Sequence, residues 1–298
     1  MSNARTRYAG MKSILEAPIM NEKYWSKVPT AQADGIMMDL EDSATPDNKV
    51  EARQRILAAL DQPEYFGGRT QIVRVNNLDT PWGRDDLEAL SQSDADFIIC
   101  YPKMTSRAET DEVLRIMSGG KRERGLYVMI ETARAMIELD RIASADGVVG
   151  LHFGYVDYAA DVGSAAFSEA GDDLYAPSNY YARTKIAVAA AAYGLFATGG
   201  SLIPEFRDLA KVENFIRGWA KLGYTACIGL APSHLEVINR VMTPTDTEVE
   251  AAKALCTAYE AAVAKGDPAA VVNGKVITNP DYRVAKLTLM RAGAPVAA

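Results

Sequence analysis

Eight short apolar runs, separated by longer amphipathic stretches, constrain this chain more than any other feature. The runs cover residues 13–18, 35–40, 71–76, 96–101, 126–131, 147–154, 196–200 and 226–232. Each is about five to eight residues long and largely apolar, as parallel strands covered on both faces require. Between them, residues 50–60, 85–91, 107–117, 133–144, 181–193 and 208–222 carry apolar side chains at i, i+3 or i+4 spacing, which predicts helices. Strands that alternate with helices imply a parallel sheet. Eight such units fit a closed (β/α)8 TIM barrel better than an open doubly wound sheet. No GxGxxG follows the first strand, which argues against a dinucleotide-binding fold.

The pattern changes after Asn239. Thr243-Pro244 introduces a long helix over about 246–264, and Gly266-Asp267-Pro268 breaks it. Asn273-Gly274 is a good hairpin turn, and a last helix is expected over about 280–290. The chain therefore reads as a barrel over 1–240 and a helical extension or lid over 241–298. The extension is free to pack on its own barrel or to cross to a neighbouring subunit.

The chain has 298 residues, 48% of them hydrophobic and 24% charged, which gives a core large enough to need no disulfide or structural metal. Its net charge is -7 and no long basic run appears, so nucleic acid and anionic membrane are not expected as partners. No apolar run approaches the roughly 20 residues of a membrane span, and no signal-peptide pattern opens the chain. Cys100, Cys227 and Cys256 form no CxxC, and a cytoplasmic, reducing compartment is expected.

Catalytic side chains of a barrel sit at the C-terminal ends of its strands. Here those ends are charged. The second carries Asp39, Glu41 and Asp42, the third Arg74, the fourth Lys103, the fifth Glu131 and the sixth Asp157. A charge in a barrel mouth is costly unless it is paired or coordinated. Glu131 and Asp157 end adjacent strands, so their carboxylates can converge on a hard cation such as Mg²⁺, with water and substrate oxygens completing the shell. No His/Cys cluster of zinc spacing competes. Arg74 is either a salt-bridge partner for Asp39 or Glu41 or a bidentate clamp on a substrate carboxylate. Lys103 is either a Schiff-base lysine or a balancing charge in the acidic mouth. His152 reads as a structural imidazole. No GxSxG elbow marks a serine hydrolase.

Those residues also carry a resemblance. Asp34-Gly35-Ile36-Met37-Met38-Asp39-Leu40-Glu41-Asp42 with Lys49 and Ala52-Arg53 is similar to the strand-2 motif of the citrate lyase beta subunit-like family within the HpcH/HpaI aldolase group. Val73-Arg74-Val75-Asn76, Pro102-Lys103, Ile130-Glu131-Thr132-Ala133-Arg134, Phe153-Gly154-Tyr155-Val156-Asp157-Tyr158 and Pro232-Ser233-His234 continue the match in order. The C-terminal Asn273-Gly274-Lys275-Val276-Ile277 extends it over nearly the whole chain.

The resemblance implies a (β/α)8 barrel, a homotrimer or hexamer, Mg²⁺ and an acyl-CoA substrate. It implies a lyase or condensing enzyme that splits malyl-, citramalyl- or citryl-CoA type thioesters into an acyl-CoA and a 2-oxo acid. Carried over by position, Glu131 and Asp157 hold the metal. Arg74, Asp39, Glu41 and Lys103 are catalytic, and Arg74, Lys12 and Lys49 contact substrate, with Lys12 in the place of an arginine near the CoA phosphates. Thr278 stands where many lyases of the family carry a lid aspartate that acts as acid/base, and threonine has no titratable group at neutral pH. Val156 and Leu230-Ala231-Pro232 also depart from the usual motifs. A thioester hydrolase and a non-catalytic CoA- or acyl-carrier-binding subunit are therefore the alternative expectations.

Overall fold

Each of the eight apolar runs forms a strand. The computed structural model describes residues 4–8, 10–168 and 175–294. The strands are β1 (Ser13–Ala17), β2 (Gly35–Asp39), β3 (Thr70–Arg74), β4 (Ile98–Tyr101), β5 (Leu126–Ile130), β6 (Val148–Phe153), β7 (Phe196–Gly200) and β8 (Ala226–Gly229). They form a closed parallel barrel in sequence order. The closing pair, β1 with β8, aligns Ile14 with Ile228. This is the TIM-barrel architecture that the alternation predicts.

Side chains alternate along each strand, so one face of every strand fills the lumen. Met11, Ile14, Met37, Ile72, Ile98, Cys100, Tyr127, Met129, Phe196 and Ile228 pack together there. Gly150 leaves space for a bulky partner: a Cβ on it would lie 2.3 Å from the Phe196 ring. The opposite faces, Leu15, Ile36, Met38 and Val73 among them, are buried as well. The strands are thus covered on both sides.

The helices are α1 (Ala4–Arg7), α2 (Glu22–Trp25), α3 (Lys49–Leu60), α4 (Gly83–Ser91), α5 (Arg107–Ser118), α6 (Ala133–Ala143), α7 (Tyr155–Asp161), α8 (Pro177–Tyr193), α9 (Leu209–Lys221) and α10 (Pro232–Met242). α7 and α10 fall where the sequence pattern predicts no helix. Caps explain several starts. Ser106 accepts a hydrogen bond from the Glu109 amide, Thr132 from Ala135, and Asp208 from Ala210 and Lys211. Thr132 follows Glu131 directly, so this cap helps set the geometry of the strand end.

The chain divides into two compact units between Arg240 and Val241. In the second unit, α11 (Asp246–Val263) and α12 (Asn279–Arg291) pack through Ala252, Cys256, Ala285 and Leu289. A hairpin of β9 (Ala270–Val272) and β10 (Lys275–Ile277) turns at Asn273 and Gly274, whose φ angles of 49° and 76° suit the two central turn positions. Thr278 precedes α12, and its amide and hydroxyl both donate to Asp281, at 2.8 and 2.9 Å. No helix among the described residues is long and apolar enough to cross a membrane.

Candidate active site

The strand alternation that fills the lumen also fixes its upper rim. Two residues beyond Ile14, Met37 and Ile72 stand Glu16, Asp39 and Arg74, on the same inward face. Arg74 donates from Nε to Asp39 Oδ1 and from Nη2 to Asp39 Oδ2, both at 2.7 Å. Asp39 also accepts from the amides of Glu41 and Ser43, each at 2.9 Å, and is fully buried. Burial alone would raise its pKa. The charge and hydrogen bonds of Arg74, with those amides, hold it below the usual range instead.

Two more carboxylates surround the guanidinium. Glu16 Oε1 accepts from Nη2 at 2.8 Å, and Glu41 Oε2 lies 3.4 Å from Nη1. Arg74 thus already spends its bidentate edge on Asp39, as the salt-bridge reading expects. Only its Nη1 side remains for a substrate oxygen, so a bidentate grip on a substrate carboxylate does not fit this geometry.

Lys103 ties the next two strands to this cluster. Its ammonium pairs with Glu41 Oε1, and its amide donates to Glu131 Oε1 at 2.7 Å. The residue holds φ at 50°, an uncommon conformation for a side chain other than glycine or asparagine. Asn77 braces this turn by donating to the carbonyls of Pro102 and Lys103 at 3.1 and 3.2 Å. Burial would lower the Lys103 pKa, but the hydrogen bond and charge of Glu41 outweigh it and keep the amine protonated. The ion pair with Glu41 is what a balancing charge in the acidic mouth would make.

Glu131 follows β5 and is 3% exposed. Gly154 packs directly on it: a Cβ there would lie 2.1 Å from Oε2. Asp157, in the first turn of α7, lines the same cavity. Burial, then the charge of Glu41, with Asp157 adding to it, push the Glu131 carboxyl up to about 8 despite the Lys103 amide. A buried carboxyl short of positive charge, with a second carboxylate on the same cavity, suits a hard divalent cation. Among the described residues no three His, Cys, Asp or Glu side chains form a protein cage, so water and substrate oxygens would complete the shell. That is how Mg²⁺ is ordinarily held.

The cavity holds about 210 Å³ and is lined by Glu16, Glu41, Arg74, Glu131, His152 and Asp157 together with Met37, Met129, Leu202 and Leu230. A space of that size takes one end of a substrate, and a neighbouring cavity of about 550 Å³ shares Glu131 and Asp157 with it. His152 Nδ1 lies 2.8 Å from Thr198 Oγ1, and burial pulls its pKa down to about 3, leaving a neutral ring. His234 engages Ser201 and the Phe206 carbonyl through its two nitrogens, at 2.8 and 2.7 Å, as a structural imidazole would.

Arg74, Asp39, Glu41, Lys103, Glu131 and Asp157 therefore share one mouth. Lys49 stands behind it. Its ammonium donates to the carbonyls of Leu40, at 2.8 Å, and Glu41, and lies 5.5 Å from the Trp82 ring centroid. It props the loop after β2 rather than lining the cavity. Lys12 is not brought to the mouth at all. It precedes β1, on the N-terminal side of the barrel, where its amide donates to Asp34 at 2.8 Å. About 13 Å of strand and a filled lumen separate it from Glu16. Glu16 also faces this mouth, although it lies in none of the motifs above. Its signal is one acidic residue inside an otherwise apolar strand, two positions from Ile14.

The HpcH/HpaI aldolase/citrate lyase family profile matches residues 12–225. The chain is 32% identical over 286 residues to a (3S)-malyl-CoA thioesterase of Cereibacter sphaeroides, covering 95% of each chain. It is 28% identical over 295 residues to an L-malyl-CoA/beta-methylmalyl-CoA lyase of the same species, covering 90% of each. Among solved structures, protein CitE from Mycobacterium tuberculosis in complex with magnesium, acetoacetate and coenzyme A is similar, with a TM-score of 0.78 at 25% identity. That match covers 96% of this chain and 99% of CitE. A profile match over most of the barrel and a 32% relative over nearly its full length agree: the chain belongs to the HpcH/HpaI aldolase/citrate lyase family.

Proposed function

We propose that this protein is a Mg²⁺-dependent carbon–carbon lyase or condensing enzyme acting on a 3-hydroxyacyl-CoA of the malyl, citramalyl or citryl type. Its products would be an acyl-CoA and a 2-oxo acid. The observation that carries this reading is the pair Glu131 and Asp157, two acids lining one cavity that Arg74 lines as well. Glu131 and Asp157 would hold the cation through carboxylate oxygens. Bound there, Mg²⁺ would supply Lewis-acid polarisation of the carboxylate and hydroxyl oxygens of the hydroxy-acid end. The Nη1 side of Arg74 offers a fixed donor to oxygen that gains negative charge. Lys103 keeps Glu41 paired, so that Arg74 is not drawn wholly to that side. Relatives named as a malyl-CoA lyase and structures of CitE with magnesium and coenzyme A support the substrate class and the metal.

A second reading is hydrolysis of the same thioesters. The 32% identity to malyl-CoA thioesterases favours it, and so does Thr278 in place of the lid aspartate. One experiment separates the two. The purified protein is incubated with malyl-, citramalyl- and citryl-CoA, with Mg²⁺ or with EDTA. Metal-dependent release of a 2-oxo acid with acyl-CoA supports the lyase. Free CoA with no 2-oxo acid supports the hydrolase, and neither product from any thioester rejects both. The expected homo-oligomer, a trimer or hexamer, is measured by light scattering.

A further inference from the structure

A lyase reaction needs a group that takes the substrate's hydroxyl proton and later returns one to carbon, and the usual candidates here are already engaged. Asp39 is fully buried and accepts four hydrogen bonds. Glu41 is paired with Lys103 and faces Arg74. Glu131 and Asp157 serve the cation in the reading above. His152 is buried, bonded to Thr198, and neutral. Cys100 and Cys227 are buried thiols whose pKa burial raises. Thr278 has no titratable group, and its hydroxyl donates to Asp281.

Glu16 differs from all of these. It shares the inward face of β1 with Ile14 and lines the cavity. Its side chain is 20% exposed, against 0% for Asp39. Among the described residues, Arg74 is its one hydrogen-bonding partner, through Oε1. Oε2 is therefore left for a ligand. Arg74 is already matched by Asp39, so Glu16 is a surplus carboxylate, held in place by the guanidinium but not needed to neutralise it.

We propose that Glu16 is the acid–base residue of this site. The inference rests on the lyase reading. Glu16 Oε2 takes the C3 hydroxyl proton of the bound 3-hydroxyacyl thioester. The C3–O bond becomes the carbonyl of the 2-oxo acid as the C2–C3 bond breaks, and its electron pair forms the thioester enolate. Glu16 then gives that same proton to C2, which yields the acyl-CoA and regenerates the carboxylate. Condensation follows the reverse path. No co-reactant is consumed. Arg74 from β3, Asp39 from β2, and Glu41 and Asp42 from the next loop are the charged groups that act on Glu16.

The test compares wild type, Glu16→Gln and Glu16→Asp as full-length proteins with Mg²⁺, using the hydroxyacyl-CoA that wild type cleaves best. The 2-oxo acid is quantified from pH 5 to 9, and 2-oxo acid binding is measured by calorimetry. Glu16→Gln is expected to lower kcat by about 100-fold or more, with KM within about threefold and oxo-acid affinity kept. The acidic limb of the kcat profile disappears, and Glu16→Asp recovers part of the rate. A kcat within about threefold of wild type in Glu16→Gln overturns the proposal while leaving the lyase reading intact. So does a joint loss of kcat and oxo-acid binding, which marks a structural role. If wild type releases no 2-oxo acid from any thioester, the lyase reading fails first and takes this inference with it. Should Glu16→Gln not fold, Glu16→Asp, which keeps the charge against Arg74, decides. A roughly tenfold fall in kcat at unchanged KM supports the proposal, and an unchanged kcat overturns it.

Discussion

Asp39 takes both Nε and Nη2 of Arg74 at 2.7 Å, and so fixes the one guanidinium of the mouth before any substrate arrives. Removing the acceptor charge leaves a buried cation short of a partner, a change that costs about 3–5 kcal/mol in buried pairs. Asp39→Asn is expected to lose about that much in urea unfolding, with kcat/KM falling about 100-fold as Arg74 shifts toward Glu16 and Glu41. Stability unchanged within about 0.5 kcal/mol would contradict the anchoring role.

The same pair sets a pH dependence. Asp39 has a folded pKa below its unfolded value, so the stability it confers is present above the unfolded pKa. It is lost as pH falls through the lowered folded value. Wild type should therefore lose stability more steeply below about pH 4 than Asp39→Asn does. Thermal unfolding across pH 2.5 to 6 checks this, and parallel curves would count against it.

Glu131 titrates in the opposite sense. Its folded carboxyl is pushed up to about 8, so the metal-free folded state binds a proton that the unfolded chain has released. Metal-free stability is then expected to fall between about pH 5 and 8, by an amount on the order of 3 kcal/mol. Mg²⁺ held at the proposed Glu131 site would counter that loss by supplying the missing positive charge, and its affinity is expected to strengthen with pH over the same window. Glu131→Gln should flatten the pH slope and abolish the Mg²⁺ shift in Tm, and a Mg²⁺ shift that survives would move the cation elsewhere.

Much of this site is legible in the sequence. Runs of Val, Ile, Leu and Met gave all eight strands, because parallel strands covered on both faces are continuously apolar. That same continuity hid Glu16. Ile14 and Leu15 are both buried, so composition does not say which face of β1 looks into the lumen. Alternation becomes decisive only once the barrel closes. α7 spans seven residues, too few for a 3.6-residue pattern to register, yet it carries Asp157. Lys12 shows the reverse case. A residue ahead of a strand belongs to the N-terminal end of a parallel barrel, and motif similarity drew it to the wrong end.

Gly154 tests how tightly Glu131, the proposed cation ligand, is seated. A methyl group added there would sit 2.1 Å from Glu131 Oε2, far inside contact distance, so the carboxylate must move. Gly154→Ala is expected to weaken Mg²⁺ binding about 10- to 100-fold in titration calorimetry, as misplacing a ligand does elsewhere. An affinity within about twofold of wild type would mean that Glu131 is free to turn without cost.

Lys49 and Lys12 carry the sharpest contrast between sequence expectation and geometry. Lys49 is buried, and its ammonium donates to the carbonyls of Leu40 and Glu41, which present Glu41 to Arg74 and Lys103. Lys49→Met keeps the apolar stem but leaves the buried Leu40 carbonyl without its donor, at about 1–3 kcal/mol, while the Glu41 carbonyl retains only the Ala44 amide at 3.4 Å. Activity should fall with it, because Glu41 loses its support. Lys12→Ala removes a partly buried side chain at the opposite end of the barrel, where the backbone contact with Asp34 survives the change. Its kcat and KM for the thioester are expected to stay within about twofold of wild type. Steady-state kinetics with both variants discriminates cleanly. A large rise in KM from Lys12→Ala would restore that lysine as a contact to the CoA phosphates and would require the thioester to reach the barrel's N-terminal rim.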